Sequence, residues 1–243
     1  MSNPSLLIVA GPNGVGKSTF IEQLITLNKD ISQNYICPDI IANQIRRLNP
    51  HKNEYEIYID AMAQAKRLRY EKLMKKEDII LETVFSSHEK IKFIKHAMDK
   101  KYSITMMFIG VENIAINIER ITKRMALGGH GVPFDKIEPR FLKSIENLIF
   151  AYKEGLFHKL FLVDNSSEIE PYRFYLYFKN KNLSWLNKDI SINTFNIING
   201  SSNIPSWIVT IGQALIKLSN NINPEHKTLP SIEELFIKDI HLD

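Results

Sequence analysis

Residues 11 to 18 read Gly11-Pro12-Asn13-Gly14-Val15-Gly16-Lys17-Ser18, with Thr19 next. This is the G-x-x-x-x-G-K-[ST] spacing of a loop that wraps phosphates. Glycines let successive backbone N–H groups turn inward, a lysine reaches the β- and γ-phosphates, and a serine hydroxyl can ligate Mg²⁺. The chemistry is binding of a nucleoside triphosphate such as ATP by residues 11 to 19, with Lys17 on the phosphates and Ser18 as the metal ligand. A glycine turn with an idle lysine would explain neither Lys17 nor Ser18.

Other residues could act beside such a loop. Asp39, in Cys37-Pro38-Asp39-Ile40, follows a short apolar run. A carboxylate there can take the proton of a substrate hydroxyl as it attacks the γ-phosphate; the competing reading is a cap on a helix from Ile40 to Leu48. Glu82, in Leu81-Glu82-Thr83, can hydrogen-bond substrate hydroxyls or orient water around Mg²⁺. Burying it without a partner would cost several kcal/mol, about 3–5 by mutational measures. Thr83 is its polar neighbour on the substrate side, and the serines that follow read as caps for a helix beginning near Ser87. Arg120 and Arg124 stand one helical turn apart and share a face. They precede Gly128-Gly129-His130-Gly131-Val132-Pro133 and Arg140. Arginines beside a glycine hinge read as a lid that neutralises charge on the transferring phosphoryl group. His130 can bind phosphate or base, or simply hold the lid.

The elements that would position these residues alternate. Leu6 to Ala10 is a buried strand into the loop, and Thr19 to Ile25 opens a helix whose positive end faces the anion. Further strands are expected at Tyr35 to Cys37, Asp78 to Glu82, Ser103 to Gly110 and Lys159 to Asp164. Helices are expected at Glu54 to Lys75, about Ser87 to Lys100, Ile114 to Leu127 and Glu138 to Leu156. Strand–helix alternation of this kind predicts an α/β three-layer fold with a mainly parallel five-stranded sheet. On that sheet Asp39 and Glu82 emerge at the carboxyl edge, where ligands bind. On the long helix, Ile57, Ala61, Ala65, Leu68 and Lys72 share related turns, and Lys66-Arg67-Leu68-Arg69 reads as a solvated face. The chain divides into a nucleotide-binding domain over 1–168 and a small C-terminal strand and helix extension over 169–243. The extension carries a hairpin of Tyr172 to Phe178 with Leu183 to Leu186, and helices at Pro205 to Leu218 and Ser231 to Ile240.

The chain has 243 residues, 44% of them hydrophobic, enough for one ordinary core. A net charge of +4 suits phosphorylated small molecules and gives no sign of a nucleic-acid partner. The single cysteine, Cys37, reads as a buried small hydrophobe in a reducing compartment. With no secretory pattern and no apolar run that would cross a bilayer, a cytoplasmic protein is expected. The remaining histidines lack metal-ligand spacing.

Together, Gly11 to Ser18, Asp39, Glu82-Thr83, and Arg124 through the glycine string to Arg140 resemble the zeta toxin family of P-loop kinases, over about residues 5 to 167. The closest likeness is to its bacterial branch labelled as predicted ATPases. The resemblance implies a nucleotide-kinase-like fold and ATP-dependent phosphorylation of a nucleotide sugar, with UDP-N-acetylglucosamine the family's substrate class. It implies the base at Asp39 and substrate contact at Glu82. Phosphate contacts fall to Arg124 and Arg140, with Arg120 in reserve. A toxin of this kind implies a separate antitoxin partner. Two departures stand out: Glu82 and Thr83 are adjacent where the founding toxins place a glycine between them, and the Gly128-Gly129-His130 lid string belongs to the uncharacterised branch. The alternatives are a P-loop ATPase or nucleotide-binding switch, and a kinase of nucleosides or nucleic-acid ends. The long insertion, LSGGQ-like signature and Asp-Glu strand end of transporter ATPases are not found.

Overall fold

The computed structural model describes residues 3–127, 133–188, 190, 192, 204–225 and 229. His130 with its glycine string, and the helix expected at Ser231 to Ile240, lie outside the described residues.

Apolar strands buried on both faces build the centre, as a parallel sheet covered by helices requires. β1 (Ser5–Ala10) is buried along its whole length. It pairs in parallel with β3 (Ile79–Thr83) on one side and β4 (Ser103–Gly110) on the other. β2 (Tyr35–Ile36) adds outside β3, and β5 (Lys159–Asp164) outside β4, both parallel. The order β2-β3-β1-β4-β5 reproduces the expected five-stranded sheet. Three further strands then continue it. β6 (Arg173–Lys179) and β7 (Asn182–Leu186) add as the expected hairpin, antiparallel to β5 and to each other, and β8 (Asn221–Glu225) runs parallel to β7. Among the described residues the sheet therefore has eight strands. The aromatic alternation of β6 marked it as a strand, while Asn-Ile-Asn-Pro-Glu in β8 carries no such pattern.

Alternate residues of β1 face opposite cores. Leu7 and Val9 pack with Phe20, Ile21 and Leu24 of α1 (Lys17–Leu27). Leu6, Ile8 and Ala10 face the other side. There α3 (Glu54–Lys75), α4 (His88–Asp99), α6 (Ile137–Lys153) and α7 (Ser206–Lys217) supply Ala65, Phe93, Ala151 and Ile211. α2 (Pro38–Leu48) and α5 (Ile114–Ala126) complete the helices used below. Asn53 begins α3 with a reciprocal capping box to Glu56. The buried stripe of α3 is Ile57, Ala61, Ala65, Arg69 and Leu73. The expected Leu68 and Lys72 are off by one position: the buried stripe keeps steps of four through Arg69 and Leu73, where a step of three from Ala65 to Leu68 is expected, and Leu68 packs half-buried at its edge. Arg69 corrects the solvated-face reading. It is 2% exposed, its guanidinium 3.8 Å from Glu89. Among the described residues no helix is long and apolar enough to cross a membrane.

Candidate active site

Strand register brings the phosphate loop and Glu82 together. Val9 lies beside Glu82 and Ala10 beside Thr83, so both chains leave the sheet at one edge. Gly16, the last loop residue before α1, has φ of 92°, a left-handed conformation that favours glycine. Lys17 is buried, and its Nζ donates to the Pro12 carbonyl at 2.7 Å. Burial lowers its pKa to about 8; Glu82 opposes the shift and Arg124 adds to it. Ser18 Oγ donates to Glu82 Oε1 at 2.9 Å. The Tyr35 hydroxyl donates to Glu82 Oε2 at 2.5 Å. Both carboxylate oxygens of Glu82 are therefore engaged.

Asp39 stands on the same edge. Ile36 of β2 is in register with Leu81, which sets the chain after β2 level with Glu82. α2 begins at Pro38, whose fixed φ suits a first helical turn. Cys37, not Asp39, occupies the cap position, so the capping reading of Asp39 and a helix start at Ile40 are both set aside. The Asp39 side chain is exposed in that first turn. Thr83 Oγ1 accepts the Phe85 N–H at 2.9 Å, bracing a φ of 63° at Phe85. Ser87 sits at the cap of α4 but makes no side-chain cap bond, which corrects the role expected for it.

The arginines separate. Arg124 is exposed and within electrostatic reach of Lys17. Arg120 instead donates from Nη1 to the Asn165 carbonyl at 2.8 Å, tying α5 to the loop after β5. Arg140 lines a 380 Å³ cleft with Ser86, Lys136 and Lys143, between the loop after β3 and the start of α6. The structure thus gathers Lys17, Ser18 and Glu82 with Arg124 in reach and sets Asp39 on their edge. It places Arg120 and Arg140 beside other partners.

Four residues that sequence reasoning passed over support the loop. Tyr35 holds Glu82. Asn165 Nδ2 donates to the Val15 carbonyl at 2.9 Å, and its Oδ1 accepts the Tyr172 N–H at 3.2 Å. The Tyr172 hydroxyl donates to the Gly16 carbonyl at 2.8 Å. A Cβ at Gly16 would stand 2.6 Å from Asn165 Nδ2, so only glycine fits beneath this brace. Trp207 of α7 donates to Asp164 Oδ1 at 2.8 Å, fixing the end of β5 from which Asn165 departs. Asn165 could have been found, since Asp164-Asn165-Ser166-Ser167 is a polar run at a carboxyl edge. Tyr172 and Trp207 lie in segments with no local signal of this use.

The residues present fit ATP and Mg²⁺. The loop has its buried lysine, Ser18 supplies a hard oxygen donor that suits Mg²⁺ with the Glu82 carboxylate hydrogen-bonded behind it, and Asn13 Oδ1 is buried without a donor among the described residues.

The zeta toxin family profile matches residues 1–174. An uncharacterised protein of Haemophilus influenzae is 30% identical over 135 residues, 56% of this chain and 91% of that protein. Among solved structures, a chain of the AvrRxo1-ORF1:-ORF2 complex with ATP superposes with a TM-score of 0.61 at 11% identity, over 90% of this chain and 77% of its own. A chain of the PezAT toxin-antitoxin system of Streptococcus pneumoniae gives 0.50 at 13% identity, over 67% and 69%. At such identities the structural likeness speaks for the fold, and membership rests on the profile, which spans most of the sequence. The chain belongs to the zeta toxin family and is an ATP-dependent P-loop kinase.

Proposed function

We propose that the protein transfers the γ-phosphate of ATP to a hydroxyl of a small nucleotide-sugar-like acceptor, with UDP-N-acetylglucosamine the first compound to test. One observation carries this reading: an exposed carboxylate, Asp39, on the sheet edge that also holds the Ser18–Glu82 pair. Asp39 takes the proton of the acceptor hydroxyl as the hydroxyl oxygen bonds the γ-phosphorus; the bond from that phosphorus to the β,γ-bridging oxygen breaks, and ADP leaves with the phosphorylated acceptor as the second product. Lys17 leaves the Pro12 carbonyl to meet the phosphates, and loop N–H groups hold them in line. Mg²⁺, when bound, neutralises charge on the β- and γ-phosphates; Ser18 would hold it, with Glu82 behind.

Arg124, beside Lys17, meets the transferring group. Arg140 approaches from the cleft it shares with Ser86 and Lys136, and Arg120 supports the nucleotide through Asn165. Thr83 and His130 are assigned to the acceptor side. The complexes of the PezAT and AvrRxo1 neighbours support a separate antitoxin-like partner, and the cytoplasm is the proposed compartment.

The test is incubation with labelled ATP and UDP-sugars, nucleosides or oligonucleotides, followed by mass spectrometry of the products. A phosphorylated UDP-sugar supports the proposal. Phosphate on nucleosides or oligonucleotide ends alone moves the protein to another acceptor class, and ATP turnover without any phosphorylated acceptor contradicts it.

A further inference from the structure

The hydroxyl of Tyr35 reaches a group that the phosphate loop itself touches. Side chains alternate along a strand, so Ile80 and Glu82 of β3 share one face. Ile80 packs in the core formed with Phe20, Ile21 and Leu24 of α1, so Glu82 emerges toward the N-terminus of α1, where Ser18 lies. Tyr35 is in register with Ile80 across the β2–β3 ladder and packs against the same core. Glu82 is then the diagonal neighbour of Tyr35, a separation that an aromatic side chain spans.

Each oxygen of Glu82 consequently has one donor: Ser18 on Oε1 at 2.9 Å and Tyr35 on Oε2 at 2.5 Å. Tyr35 is the more buried donor, half-buried where Ser18 is exposed. The tyrosine hydroxyl is the donor in its bond to Glu82, since a carboxylate can only accept. A hydroxyl has one proton and two lone pairs. With its O–H directed at Glu82, Ser18 keeps its lone pairs for a cation. That arrangement persists only while the carboxylate keeps Oε1 turned to Ser18, and the bond to Tyr35 sets that rotation.

We propose that Tyr35 is a positioning residue for metal–nucleotide binding, holding the Glu82 carboxylate so that it accepts the hydrogen bond of the Ser18 hydroxyl and leaves the Ser18 lone pairs to Mg²⁺. The inference rests on the nucleotide-binding part of the function proposed above and concerns no acceptor.

The experiment is calorimetric titration of the full chain with ATP in excess Mg²⁺ and again in EDTA, for wild type, Tyr35→Phe, Glu82→Gln and the double variant. Tyr35→Phe keeps the ring and removes only the hydroxyl. Its affinity for Mg²⁺·ATP is expected to fall about tenfold, the usual scale for a hydrogen bond to a charged group, with affinity in EDTA unchanged. The double variant is expected to bind no more weakly than Glu82→Gln, because Tyr35 acts through Glu82. An equal loss with and without metal would assign Tyr35 to packing alone. Unchanged Mg²⁺·ATP affinity in Tyr35→Phe, or additive losses in the double variant, would also overturn the proposal. No ATP binding by the wild-type chain would overturn it together with the nucleotide reading, an outcome distinct from each of these.

Discussion

Lys17 Nζ lies 2.7 Å from the carbonyl of Pro12, five residues earlier in its own loop. Before any phosphate arrives, the buried ammonium is held by a neutral acceptor. Burial holds its pKa at about 8, below the usual 10.5 of a lysine, because the carbonyl poorly replaces water or an anion.

The first prediction concerns stability. The folded-state pKa is lowered, so between about pH 8 and 10.5 the unfolded chain binds the proton that the folded chain has lost. Stability therefore rises with pH through that window, and the full penalty, on the order of 3 kcal/mol, is present below it. Lys17→Met removes the charge at similar length. It is expected to raise Tm by several degrees at pH 7 while abolishing ATP binding. Calorimetry with and without ATP checks both, and a lower Tm in the variant would contradict the assignment of strain to Lys17.

The second prediction is the pH dependence of nucleotide binding. Phosphates require the charged lysine, so affinity for ATP is level below pH 8 and falls above it. At pH 9 about one lysine in ten is charged, and the dissociation constant is expected to rise about tenfold. Arg124 helps to lower the lysine pKa, so Arg124→Gln should move this break to higher pH. A break in the same place would remove Arg124 from the site.

The third prediction tests the brace under the loop. Gly16→Ala must hold an L-residue at a φ of 92° and fit a methyl 2.6 Å from Asn165 Nδ2. Destabilisation of about 1–3 kcal/mol is expected, with loss of ATP binding. Tyr172→Phe removes the hydroxyl that bonds the Gly16 carbonyl and meets the Thr19 side chain, and should cost about 1 kcal/mol. Denaturant unfolding of both variants measures these effects, and equal, negligible losses would show that the loop stands without its brace.

Local pattern made the centre of this molecule legible. The apolar run of β1, the glycine–lysine–serine string and the change from period 2 to 3.6 placed the loop between strand and helix. The order of strands then put Asp39 and Glu82 at one edge. What could not be read were contacts between distant segments. Arg69 looks like a surface cation until α4 places Glu89 against it. Arg120 and Arg124 share a helix face, yet one is claimed by the Asn165 carbonyl and the other acts on Lys17. Tyr172 bonds a residue 156 positions away. Nothing local to β8 announces that β7 will accept it as a neighbour.

The central claim, that Asp39 is the base opposite the phosphate loop, is tested most directly by single-turnover transfer from γ-labelled ATP to UDP-N-acetylglucosamine, comparing wild type with Asp39→Asn. ATP affinity is expected to be unchanged and phosphate transfer slowed by roughly 10²-fold or more, the scale of a lost general base. Transfer at the wild-type rate by Asp39→Asn would contradict it.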